Sequence, residues 1–253
     1  MKYIKAIGFD LFNTLITAEQ DTLHDAMDRL MRSLAHSGFA LNSDAFKRAL
    51  LDATLRFLEQ TKIDGRETHN RFWISAALET QGYNIPPDDI RISQAVDDYF
   101  SAFFDHCRLI PETIEMLETL KGQYQLGLLS NFTHSPAARG VIDSLGLAPF
   151  FEIVLISDDL GYRKPYPLVF VQLRDALGVK DHEMLYIGDD PVSDIAGARQ
   201  AGLRPVWMTY VRDQNIPFVG GHLYPKDQEV DDDVPRIAKW QDLFTLLGTG
   251  QSL

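Results

Sequence analysis

The chain has 253 residues, 45% of them apolar and 24% charged, with a formal net charge of −12 and one cysteine, Cys107. That size and composition suit one domain, or a core domain carrying a smaller one, with a filled core and no wholesale disorder. The acidic excess offers no long-range attraction to a nucleic-acid backbone or an anionic membrane, and a lone cysteine rules out an intrachain disulfide and fits a reducing compartment. Lys5 interrupts the first apolar run and Asp10 ends it, so the amino terminus does not read as a secretory signal. No apolar stretch reaches transmembrane length. The expectation is a cytoplasmic protein with neither a nucleic acid nor a membrane as partner; nothing in the sequence sets an oligomeric state.

Residues 3–9 form a short apolar run that reads as a buried parallel strand delivering Asp10 to a turn, with Thr14 close behind. After Leu15 about ninety residues show helical period and no convincing strand. Leu23, Met27, Leu30, Met31 and Leu34 mark one face, stopped at Gly38. Phe46, Leu50, Ala53 and Phe57 mark a second, with Ser43 or Asp44 expected to cap its start. A third runs through Phe72, Trp73, Ala76 and Ala77 to Gly82, and a fourth through Ile92, Val96, Phe100 and Phe103, entered from Pro86-Pro87-Asp88-Asp89. Four amphipathic helices with short connections predict a small bundle.

From Pro111 the pattern alternates. Helices are expected over residues 111–120, 135–145, 167–177 and 193–201, and strands over 125–129, 151–156, 184–187 and 205–208. Repeated helix–strand units predict a doubly wound, mostly parallel, Rossmann-like α/β sheet, and the first strand has nowhere else to pair. Residues 1–16 and 108–253 are therefore expected to form the core domain, with 17–107 inserted as a helical cap. Residues 211–235 read as a long surface loop, punctuated by Pro217, Gly220, Gly221 and Pro225; residues 240–247 resume a helix, and the last few residues are expected to fray.

Open α/β sheets bind ligands at the carboxyl ends of their strands, and four such ends carry polar groups. Asp10 ends the first, where Thr14 stands close enough to meet the same ligand. Ser130 and Asn131 end the second, where a hydroxyl and the next backbone N–H reach an anion together. Lys164 stands between strand and helix in Gly161-Tyr162-Arg163-Lys164-Pro165-Tyr166-Pro167, with prolines expected to keep the backbone extended. Gly188-Asp189-Asp190-Pro191-Val192-Ser193-Asp194 sets three carboxylates after a buried strand, and like charges at that density call for a cation or a hydrogen-bond network.

In this order the four stretches resemble the motifs of the haloacid dehalogenase superfamily, over about 160 residues, and the helical insertion resembles the cap many members carry after the first motif. The resemblance implies a nucleophile at Asp10, a phosphate ligand at Ser130, and a charge-screening lysine at Lys164. It implies a magnesium site made by Asp10, Asp189 and the backbone carbonyl of Phe12, with Asp194 close by or coordinating through water. Carboxylate attack on a phosphomonoester gathers negative groups, so a hard cation and several donors are needed. Magnesium favours such oxygen ligands, Lys164 balances charge the metal does not reach, and Ser130 with the Asn131 amide holds a phosphate oxygen.

One position departs from the pattern. Phosphatases of the family commonly carry a second Asp two residues after the nucleophile, to protonate the leaving alkoxide; this chain has Phe12. Dehalogenases also lack that Asp, but they work without metal and resemble Ser-Asn where this chain has Gly188-Asp189. The acidic cluster outweighs the missing acid, because carboxylates without a cation would repel one another and an acidic substrate. The expectation is a magnesium-dependent phosphatase of a small phosphorylated metabolite acting through a phospho-aspartyl intermediate. The alternatives are metal-free halide displacement by Asp10 and a non-catalytic binding protein of the same fold. His24 and His69 stand as candidate proton donors, Arg56, Arg66 and Arg71 as candidate anion ligands, and Lys47 and Lys62 as the cap lysines a phosphonate-cleaving member would use.

Overall fold

The computed structural model describes residues 3–217 and 230–248. Strand β1 (Ala6–Phe9) is buried at every position and leads through a tight turn into β2 (Ile16–Ala18). Four helices follow: α1 (Thr22–His36), α2 (Ser43–Asp64), α3 (Asn70–Glu79) and α4 (Ile90–His106). The chain returns through β3 (Cys107–Leu109) to α5 (Thr113–Leu120), β4 (Gln125–Ser130), α6 (Ser135–Ser144), β5 (Ile153–Ile156), α7 (Ser157–Leu160) and α8 (Pro167–Ala176). Then come β6 (Met184–Gly188), a wide π turn over Pro191–Ala196, α9 (Gly197–Gln200), β7 (Arg204–Met208), α10 (Tyr210–Asp213), β8 (Arg236–Ile237) and α11 (Trp240–Leu247).

The six-stranded sheet has the order β5-β4-β1-β6-β7-β8, and every pairing in it is parallel. Alternation along the strands sends side chains to two layers. Ile7, Phe9, Leu128 and Ile187 pack with Trp240 and Leu243 on one face; Ala6, Tyr186 and Leu129 pack with Val169, Phe170 and Leu173 on the other. Gly8 belongs to the second face, and a Cβ there would stand 2.8 Å from a methyl of Leu173, so its absence lets α8 close onto the sheet.

The expected helices are all present, but two starts and two strands differ. Asn42, not Ser43 or Asp44, caps α2, its side chain accepting from the Ala45 amide at 3.0 Å. Strands β2 and β3 were not expected: they form an antiparallel ribbon, Ile16 opposite Leu109 and Ala18 opposite Cys107, where the chain leaves and rejoins the sheet. Three residues are too few to show a period of two. The ribbon spans residues 17 and 107, and we propose that the divide between core and cap lies there. The helix expected from Ser193 begins instead with the π turn, which Asp190 caps by accepting from the Val192 and Ser193 amides.

Of the segment 211–235, residues 218–229 lie outside the described residues, as do 249–253. The described part is not wholly irregular. Its start belongs to α10, and Asp231 and Asp233 each lie 2.6 Å from Arg199 of α9, so these acids pair with the core.

Candidate active site

Parallel strands place all their carboxyl ends on one edge, and the register decides which residues meet there. Phe9 lies opposite Leu128 on one side and Ile187 on the other, so Asp10, Ser130 and Asp189 emerge side by side. Asp10 is fixed by its backbone, whose N–H donates to Ile187 O at 2.9 Å, and by Thr14, whose hydroxyl donates to Oδ2 at 3.3 Å. The turn between them passes through Asn13 at φ 60°, a left-handed conformation that asparagine tolerates better than most residues.

Lys164 is the electrostatic centre. Its ammonium lies 2.5 Å from Asp10 Oδ1, 2.6 Å from Asp194 Oδ1 and 3.0 Å from the Tyr186 hydroxyl, and the residue is only 3% exposed. The Asn131 side chain clamps the lysine's backbone at both ends, accepting from Lys164 N at 2.8 Å and donating to Lys164 O at 2.9 Å. The Lys164–Pro165 peptide is cis rather than extended. Tyr186 OH donates to Leu129 O at 3.0 Å, which ties the lysine's third partner to β4.

Oxygens of Asp10, Asp189 and Asp194 all lie within 4.8 Å of one another. Gly188 makes this possible, because a Cβ there would stand 2.3 Å from the Asp194 carboxyl carbon. Trp207 donates from Nε1 to Asp189 O at 2.9 Å, and the Asp190 amide donates to Asp194 Oδ2 at 3.0 Å. Burial pushes the Asp189 carboxyl well above the carboxylate range, and its three acidic neighbours push the same way. Asp194 rises to about 7, burial and the nearby carboxylates together outweighing the Lys164 ammonium. Burial pulls the Lys164 ammonium down, but Asp10 and Asp194 more than offset it and hold it well above its ordinary value. The crowding of acids that raises Asp189 and Asp194 is what a hard divalent cation relieves, and the donor set is all oxygen, so the residues fit such an ion.

A cavity of about 500 Å³ opens from these carboxylates into the cap, and Asp10, Phe12, Asn131, Lys164, Asp189 and Asp194 line its floor. Ser130 and Thr14 are buried and stand behind that lining rather than in it. Phe12 stacks on Phe132, rings 5.3 Å apart and inclined by 5°, and meets Phe103 of the cap edge-on at 6.0 Å. Neither His24, exposed beside Asp28, nor His69, edge-on to His134, lines the cavity. Arg56, Arg66 and Arg71 are exposed and also lie outside it; Lys62 pairs with Glu59 at the surface, while Lys47 does reach the lining.

Sequence reasoning missed three contributors. Tyr186 carried a signal, since a phenol inside a buried strand must find a hydrogen-bond partner. The Asn131 side chain carried none, because its partner is another loop's backbone. The third is a clasp between cap and core: the loop after α2 runs beside the loop holding Lys164, with Glu67 N donating to Gly161 O and Arg163 N to Gly65 O, both at 3.0 Å. Glu67 reinforces it, 3.2 Å from Arg163 and accepting from the Ser157 hydroxyl at 2.5 Å.

Among curated proteins, a glyceraldehyde 3-phosphate phosphatase of Methanopyrus kandleri is 28% identical over 233 residues, covering 92% of this chain and 91% of that one. A phosphoglycolate phosphatase of Yersinia pseudotuberculosis is 27% identical over 213 residues, covering 83% and 82%. Among solved structures, a 2-haloacid dehalogenase from Pseudomonas syringae pv. tomato superposes with a TM-score of 0.70 at 25% identity, covering 98% of this chain and all of that one. No helix among the described residues is long and apolar enough to cross a membrane. The family model for haloacid dehalogenase-like hydrolases matches residues 4–202, and with this fold and this cluster of carboxylates the chain belongs to that family of enzymes.

Proposed function

We propose that the protein is a magnesium-dependent phosphatase of a small phosphorylated compound, with Asp10 as nucleophile. The observation that carries the reading is the convergence of Asp10, Asp189 and Asp194 around the single ammonium of Lys164. A magnesium ion held by Asp10, Asp189 and Asp194, with the Phe12 carbonyl, would polarise the phosphoryl group and neutralise its charge. An Asp10 oxygen attacks phosphorus, the ester oxygen departs with its electron pair, and an acyl phosphate forms on Asp10. Lys164 pairs with one oxygen of Asp10 and Thr14 fixes the other, while the Asn131 amide, with Ser130 buried behind it, would receive a phosphoryl oxygen. Water then cleaves the acyl phosphate, releasing phosphate and restoring Asp10. Phe12 gives the departing oxygen no proton, so esters whose oxygen leaves as a stable anion react best.

The similarity to phosphatases along most of the chain supports this reading. The dehalogenase reading keeps one specific support: Phe12 at the acid's position, with the 2-haloacid dehalogenase resemblance beside it. It conflicts with an acidic floor that repels a haloacid's carboxylate. The deciding experiment measures phosphate and halide release from a broad panel, with magnesium and with chelator, using Asp10→Asn as the blank. Phosphate release that chelator abolishes is the expected result; chloride release from 2-chloropropionate that survives chelator would overturn it.

A further inference from the structure

The cavity is shaped for more than a phosphate. In the cap α1 packs along α4 and α2 packs along α3, and the space between α1 and α2 remains open as a slot continuous with the carboxylate floor. Leu23, Met27 and Leu30 of α1 face Leu50, Thr54 and Leu58 of α2 across it. At 1.5 Å of rise per residue, Lys47 to Leu58 spans about 16 Å of α2, and Leu23 to Leu30 about 10 Å of α1. The slot is therefore long, and apolar along most of its length. Charge is scarce in it: among the described residues Lys47 is the only cationic side chain that the cap gives to the lining, while Arg163 and Lys164 of the core are engaged by Glu67 and by Asp10 with Asp194.

Asn70 and Trp73 of α3 also belong to the lining, although Asn70 Oδ1 and Trp73 Nε1 themselves are buried away from the open space. The lining thus suits a mainly apolar body. A volume of about 500 Å³ lies within the range for ligands far larger than a two- or three-carbon phosphate.

We infer that the organic half of the substrate is apolar and extended and lies between α1 and α2, so that the enzyme takes phosphomonoesters of long apolar alcohols or phenols ahead of compact, multiply charged metabolites. This rests on the phosphatase reading of the floor. With no acid at position 12, phenols, whose oxygen leaves more readily than an alkoxide, form the best of that class.

The test uses a 4-alkylphenyl phosphate series, methyl to hexyl, in which the departing oxygen stays nearly the same while apolar length grows. Each fully buried methylene is worth about fourfold, so a gain of about tenfold in kcat/KM needs only two or so of the added carbons to be buried. The expected result is such a gain, expressed mainly in KM, with glyceraldehyde 3-phosphate and phosphoglycolate below the hexyl ester. Leu58→Glu, at a half-buried position, and Thr54→Trp, which fills the slot with bulk, should each flatten the length dependence. A length dependence that is flat or falling in the wild type overturns the inference while leaving the phosphatase reading intact. If no ester releases phosphate, that reading fails by itself, and calorimetry with hexylphosphonate and methylphosphonate decides the slot: at least about tenfold tighter binding of hexylphosphonate sustains it, equal affinity overturns it.

Discussion

Phe12→Asp is the substitution that bears most directly on the chemistry. It places a carboxyl two residues beyond Asp10, the proposed nucleophile, where phosphatases of the family are expected to keep their proton donor. A positioned acid is worth roughly 10²–10⁴ in rate, and the gain should fall on alkyl phosphates, whose oxygen needs the proton, and hardly on 4-nitrophenyl phosphate. The ring being removed stacks on Phe132 and meets Phe103 edge-on. Losing both aromatic pairs and the half-buried ring costs about 3 kcal/mol. In a chain of this size that is roughly 6–12 °C of Tm. Phe12→Asn is the matched control, with the same packing loss and no acid. Phosphate release from butyl phosphate and from 4-nitrophenyl phosphate, measured alongside thermal melts of all three proteins, separates the effects. Equal rates for the Asp and Asn variants on butyl phosphate, or equal gains on both substrates, would refute the account of this position.

Gly188→Ala should cost about 1–3 kcal/mol and weaken magnesium binding, because the new methyl must displace the Asp194 carboxyl; unchanged melting and metal affinity would contradict the packing at Gly188. Lys164→Met should cost about 3–5 kcal/mol without metal by leaving two buried carboxylates unpaired. Magnesium should then raise its melting temperature by more than it raises the wild type's; an equal rise would show that the ammonium and the ion do not share the same charges. Burial holds His134 below the ordinary histidine value despite Asp97 and Asp158, so its neutral form favours folding: the contribution is full above the unfolded value and is lost as pH falls through the lower folded one. The melting difference between wild type and His134→Gln should therefore shift against the wild type as pH drops from 7 to about 5, and a constant difference would refute this.

The sheet and the edge where its polar residues gather were legible because parallel strands translate sequence into position: a buried run followed by Asp10, Ser130 or Asp189 announces both the strand and the edge where it ends. Lys164 was legible for a weaker reason, the prolines around it, and the geometry of its loop was not, since it depends on Asn131 reaching across from another strand. The β2–β3 ribbon escaped because three-residue strands show no period. The cap's function was hidden most fully. Leu50 and Trp73 obey helical period like any core residue, yet they line a chamber, and periodicity records only that a side chain leaves water, not what it faces.

The backbone clasp joins residues 65–67 to residues 161–163. Lys164 follows directly on the clasped residues, so one loop meets the cap at residues 161–163 and Asp10 at the next position. Moving the cap away from the core would break these two backbone hydrogen bonds, while Asn131 would still hold the lysine's backbone at both ends. Fastening the cap and placing the ammonium are thus tasks of neighbouring but different residues of one loop.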